Sequence, residues 1–160
     1  MAVARYLERC RLKTGVLFRA ACELGALEGD DPEQLPGLAL FGERIGLAFQ
    51  LLDDVLDVSG PPERTGKPRG ADLLDGTVTL PLILARARDP RLGSLDLRAV
   101  RTPELAAEVC VRIADTGALD DTRARALDFV ASAKAELPEM PARQRSALEL
   151  IADGVVERYS

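Results

Sequence analysis

The chain has 160 residues, 47% of them hydrophobic, which is enough for one domain with a sizeable core. Its 26 acidic and 21 basic residues leave a net charge of -5 with no concentrated basic block, which argues against a nucleic-acid or anionic-membrane surface. Histidine is absent, so imidazole acid/base chemistry and His-ligated zinc are excluded, and any metal is expected to be hard and bound through oxygen.

Ala, Leu, Arg and Glu abound, aromatics are scarce, and apolar residues recur at three- and four-residue spacing, so the chain is expected to be all-α. The first helix is predicted from about Val3 to Leu27, ended by the turn Gly29-Asp30-Asp31-Pro32. On it Lys13 falls in one stripe with Tyr6, Cys10, Leu17, Ala20, Ala21 and Leu24, so a charge is expected to point inward. A lysine that fills core with its methylenes and one that reaches a phosphate both fit, and Thr14 beside it offers a hydroxyl.

The second helix is predicted from about Pro36 to Val58. With about 100° between successive residues, Gly42, Gly46, Phe49, Gln50, Asp53 and Asp57 form one stripe, and apolar residues cover most of the rest. That pattern predicts a buried helix whose polar stripe faces a water-containing cavity, with the glycines leaving room for a ligand. Asp53, Asp54 and Asp57 crowd together without a neighbouring basic residue, and Mg²⁺, which prefers a few carboxylates plus waters and phosphate oxygens, suits such an open triad. A solvated helix end is the plain alternative. The pairs Asp30-Asp31 and Asp120-Asp121 lack a third aspartate and read as helix or turn starts.

After Ser59-Gly60-Pro61-Pro62 comes a basic loop containing Lys67 and Arg69, expected to close over a ligand beside the aspartates. A third helix is predicted from about Asp72 to Arg88 with a kink at Pro81, then a loop from Asp89 to Asp96. Thr102 is expected to cap a helix that opens at Pro103 and runs to about Thr116, followed by helices from about Asp121 to Leu137 and Ala142 to Arg158. The odd cysteines Cys10, Cys22 and Cys110 lack C-x-x-C spacing and read as buried thiols of a reducing cytoplasm. The longest uncharged stretch, Gly76 to Ala85, is too short to span a bilayer, and the N-terminus lacks a signal peptide's apolar run, so a cytoplasmic location without a transmembrane segment is expected.

Several runs in order carry a resemblance: Arg11-Leu12-Lys13-Thr14-Gly15, Gly46 to Asp57, Thr65-Gly66-Lys67-Pro68, Ala71-Asp72-Leu73 and Thr79-Leu80-Pro81. They resemble the trans-isoprenyl diphosphate synthases, the polyprenyl synthetase family, over nearly the whole chain. The resemblance implies part of the isoprenoid synthase fold, a bundle of long helices, with residues 1–160 as the C-terminal portion of its domain. It implies Mg²⁺-dependent head-to-tail condensation of an allylic diphosphate with isopentenyl diphosphate. Asp53, Asp54 and Asp57 match the second aspartate-rich motif and would hold metal; Lys13 and Lys67 match lysines on the allylic diphosphate; Thr14 and Gln50 match polar residues near the reacting carbons, Gln50 also beside the diphosphate. Two departures stand out: Thr77 occupies a position where the family usually has lysine, and the first aspartate-rich motif does not occur in these 160 residues. The expectation is therefore a prenyltransferase that is truncated or needs a complementary chain, acting as homo-oligomer or heteromer. The alternative is a non-catalytic helical partner of a full-length synthase. Terpene cyclases share the fold, but the Gly66-Lys67-Pro68 loop suits chain elongation better.

Overall fold

A computed structural model describes residues 2–29, 32–60 and 68–157 of the protein, and among these every regular element is helical. The first two helices, α1 (Val3–Cys10) and α2 (Val16–Glu28), run on without a break through a π turn at Arg11–Gly15. A π turn carries one more residue than an α turn and so shifts everything beyond it by about 100°. The buried and half-buried positions follow that shift: Tyr6, Cys10, Gly15, Phe18, Cys22 and Ala26, with a step of five across the π turn. Uniform α-periodicity placed Lys13, Leu17 and Leu24 on the inward stripe. The structure corrects this, because the extra residue leaves Lys13 exposed and Leu17 and Leu24 at 66% and 63% exposure.

A 3-10 turn at Pro32–Gln34 leads into α3 (Leu35–Ser59), the longest helix among the described residues and close to its predicted bounds. By length and mean hydropathy α3 is apolar enough to cross a membrane, and 56% of an 18-residue apolar stretch within it is buried in the protein. The chain then forms α4 (Ala71–Leu74) and α5 (Leu80–Arg86). A single helix kinked at Pro81 was expected here, and the structure has two. Gly76 adopts φ 69°, the Thr77 amide turns back to the Asp72 carbonyl at 2.7 Å, and Thr79 is extended, so Pro81 sits in the first turn of α5 instead of interrupting a helix.

The predicted loop after Asp89 contains α6 (Pro90–Gly93), whose first turn is capped by the Asp89 carboxylate accepting from the Arg91 amide at 2.8 Å, and a 3-10 turn at Leu97–Ala99. Thr102 caps α7 (Pro103–Asp115) as expected, its hydroxyl accepting from the Leu105 amide at 3.3 Å. Then follow α8 (Ala118–Ala135) and α9 (Ala142–Glu157), with Asp120 and Asp121 in the first turn of α8 as read from the sequence.

The chain falls into two compact units. One contains Tyr6 and Leu51–Ala124, and its core joins Val55, Leu73, Leu82, Leu92, Val109 and Ile113. The other contains Leu7–Gln50 and the chain from Arg125 onward. Within it α3 packs on the first helical run through glycines: a Cβ at Gly42 would lie 2.5 Å from the Phe18 carbonyl oxygen, and one at Gly46 would lie 2.9 Å from the Gly15 Cα. These glycines admit a backbone, not the ligand expected from the sequence, because the shifted register brings α2 onto them.

Candidate functional site

The acidic end of α3 lies in the first unit, and its three aspartates have three different fates. Successive residues diverge by about 100° on a helix, and the structure uses that divergence. Asp53 is exposed, with no hydrogen bond or ion pair among the described residues. Asp54 is 2% exposed and accepts a hydrogen bond from the hydroxyl of Tyr6, itself fully buried. Asp57 is half-buried and accepts from the Asp72 backbone amide at 3.3 Å.

The carboxyl of Asp57 is pushed up to about 7. Burial is the largest cause and the nearby Asp72 charge the next, with Asp54 adding to it; the backbone amides of Asp72 and Ala71 pull the other way. Arg69, expected to face the aspartates, instead donates through Nε to the Val58 carbonyl, while the Gly70 amide donates to the Asp57 carbonyl at 2.9 Å. The returning loop is thereby fastened to the open carbonyls of the helix end. Gly70 has φ 77°, and a Cβ there would sit 2.9 Å from the Cys110 sulfur, so this fastening requires glycine.

The triad read from the sequence is thus not a ready-made cage. Among the described residues no three Cys, Asp or Glu side chains converge on one point, and Asp54 gives one carboxylate oxygen to Tyr6. Asp53 and Asp57 lie one turn apart, with Asp72 against Asp57. These are hard oxygen donors whose mutual repulsion a divalent cation would relieve, and Mg²⁺ takes one or two carboxylates and fills its other positions with water and phosphate oxygens. The donor set fits it.

In the second unit, the Thr14 hydroxyl donates to Gln50 Oε1 at 2.9 Å, with Gln50 buried. In the same unit the Phe18 and Phe49 rings pack on each other, centroids 5.6 Å apart and tilted by 39°. Lys13, next to Thr14 in the π turn, stays exposed with no ion pair among the described residues, so its charge is available to an external anion. Lys67 lies outside the described residues. Sequence reasoning missed Tyr6 and the contribution of Asp72. Tyr6 lies 48 positions from Asp54, beyond any periodic signal, whereas the nearness of Asp72 to the acidic cluster in a family motif was a usable hint.

The family model described as polyprenyl synthetase matches residues 1–109. The geranylfarnesyl diphosphate synthase of Natronomonas pharaonis is 39% identical over 156 residues, covering 96% of this chain and 45% of that protein. The heptaprenyl diphosphate synthase component 2 of Geobacillus stearothermophilus is 49% identical over 81 residues, 50% of this chain and 25% of that one. Among solved structures, the polyprenyl synthase of Caulobacter crescentus CB15 complexed with calcium and isoprenyl diphosphate aligns over 100% of this chain and 51% of its own, at 42% identity and a TM-score of 0.90. The chain spans about half the length of the curated relatives it matches.

Proposed function

The chain belongs to the polyprenyl synthetase family, and we propose that it contributes the second aspartate-rich wall of a prenyltransferase site that joins an allylic diphosphate to isopentenyl diphosphate. The observation that carries this reading is the pair Asp53 and Asp57: neither has an ion-pair partner among the described residues, and Asp57 is crowded by Asp72. Surplus carboxylate on a buried helix is what a divalent cation carrying a diphosphate would neutralise.

In this reading Asp53 and Asp57 hold Mg²⁺, with Asp54 braced by Tyr6 setting the helix end that presents them. The metal would supply charge neutralisation that lets the diphosphate leave with the bonding electrons. Lys13 donates to a diphosphate oxygen, and Lys67 from the following loop does the same. Gln50 lies at the diphosphate end of the allylic group, where it and Thr14 turn oxygen dipoles towards positive charge developing on the allylic carbons. Phe49, its ring packed on Phe18, would line the same pocket. The first aspartate-rich motif would come from sequence outside these 160 residues, in the same or another polypeptide, and the working site would be cytoplasmic.

Calorimetric titration of an allylic diphosphate with and without Mg²⁺ tests this. Binding is expected to require Mg²⁺ and to weaken sharply in Asp53→Ala and in Lys67→Ala; unchanged binding in both variants would sink the assignment.

A second reading, a helical subunit that completes or modulates another synthase chain, is favoured by one specific observation. Leu12, Leu17, Leu24 and Leu27 on the first helical run are 56 to 66% exposed, an apolar face suited to a helical partner or a second copy. Two relatives are named as component 2 of heptaprenyl diphosphate synthase, one from Geobacillus stearothermophilus and one from Bacillus subtilis. A monodisperse monomer by light scattering would count against it.

A further inference from the structure

The π turn at Arg11–Gly15 separates two residues of the proposed diphosphate site: it turns Thr14 onto Gln50 and leaves Lys13 outward. A π turn is rare and holds one more residue than an α turn, so contacts that favour the shifted register bear on whether it forms. The surroundings of Glu43 on α3 supply a candidate.

Its Oε2 atom lies 3.7 Å from the Arg11 guanidinium and 3.6 Å from that of Arg19, and it is buried without a hydrogen bond of its own. Arg11 also pairs with Glu8 at 2.7 Å and Arg19 with Glu23 at 2.8 Å. The result is an alternating row, Glu8, Arg11, Glu43, Arg19 and Glu23, in which α3 contributes the central carboxylate and the first helical run the other four.

The spacing shows why the row needs the π turn. In an uninterrupted α-helix, residues eight apart differ by about 80° in direction, whereas residues seven apart fall within about 20°. The extra residue makes Arg11 and Arg19 behave as if seven apart, so both guanidiniums reach one carboxylate. Glu43 also packs against the end of the turn: a Cβ at Gly15 would meet its Cγ and its carbonyl oxygen at 3.4 Å. An α-helical register would carry one of the two arginines away from Glu43.

We infer that Glu43 is a positioning residue: its carboxylate, straddled by Arg11 and Arg19, locks the π register that aims Thr14 at Gln50 and presents Lys13. The functional weight of this lock rests on the diphosphate reading above, but the lock itself belongs to the ligand-free chain.

Amide hydrogen exchange on the ligand-free 160-residue chain tests it directly. In Glu43→Gln, amides between Arg11 and Arg19 should exchange about threefold or more faster while those of α7 keep their rates. Glu43→Asp should restore slow exchange in part, and Arg19→Gln, altered at an exposed position, should reproduce the effect if the first variant folds poorly. Unchanged exchange over 11–19 in both Glu43→Gln and Arg19→Gln overturns the inference, as does loosening spread evenly over the whole chain. Binding of inorganic pyrophosphate with Mg²⁺ is measured alongside in Lys13→Ala. If that variant binds as the parent does, the diphosphate role of Lys13 falls while the exchange data still decide the lock.

Discussion

Two sets of carboxylates in the same unit have opposite surroundings. Asp89 receives the Arg112 guanidinium as well as the Arg91 amide, and its carboxyl is held below the usual range, chiefly by the hydrogen bond from Arg112. Asp57 is half-buried, faces Asp72, has no basic partner among the described residues, and is pushed up. Asp89 carries its counter-charge in the fold and does structural work, capping α6. Asp57 and Asp53 leave theirs to be supplied. A carboxylate whose environment opposes its charge, as at Asp57, is the surrounding expected of a binding site under the function proposed above.

The sharpest way to break this contrast is to remove one member of each set and measure binding. Asp53→Ala should weaken Mg²⁺-dependent binding of an allylic diphosphate by about tenfold or more, while Asp89→Ala leaves it unaltered in the same titration. Equal losses in both would erase the distinction between structural and functional carboxylates.

The next effect is on folding. Tyr6→Phe removes the donor to a buried Asp54 and should cost about 1–3 kcal/mol in denaturant unfolding. Asp54→Asn at the same site should be milder, since the amide oxygen can still accept the tyrosine proton. If Tyr6→Phe leaves stability unchanged, Asp54 draws its support from elsewhere.

A pH series sharpens the contrast further. Because the folded pKa of Asp57 is raised, its ionisation works against the folded state, and the metal-free chain should lose stability as pH rises from the ordinary carboxylate range through about 7. Asp57→Asn should melt higher than the parent above pH 7, and the difference should vanish at low pH. The lowered pKa of Asp89 acts with the opposite sign: its stabilisation is present above the ordinary carboxylate range and is lost as pH falls through the lowered value. Arg112→Gln should therefore show the smallest change, a slightly lower melting temperature at neutral pH that converges with the parent on acidification. A gap that widened at low pH would reverse the assigned sign.

How much of this was legible beforehand divides along local and non-local lines. Apolar spacing gave α3 within a residue or two, Thr102-Pro103 gave the start of α7, and the i, i+4 relation of Asp53 and Asp57 followed from helical pitch. Each depends on a few neighbouring residues. The Asp89-Pro90 pair carried the same kind of signal for α6, and reading the segment as a loop overlooked it.

The sequence by itself thus determined that the chain is helical, where its principal helices run and which carboxylates share a turn, because pitch and capping are properties of short segments. Only the tertiary structure decided that Tyr6 meets Asp54, that Gly42 and Gly46 admit a helix backbone, and that a π turn sends Lys13 outward while Thr14 meets Gln50. Those outcomes depend on partners 24 to 48 positions away along the chain, and no periodicity records which distant residue will fill a given place.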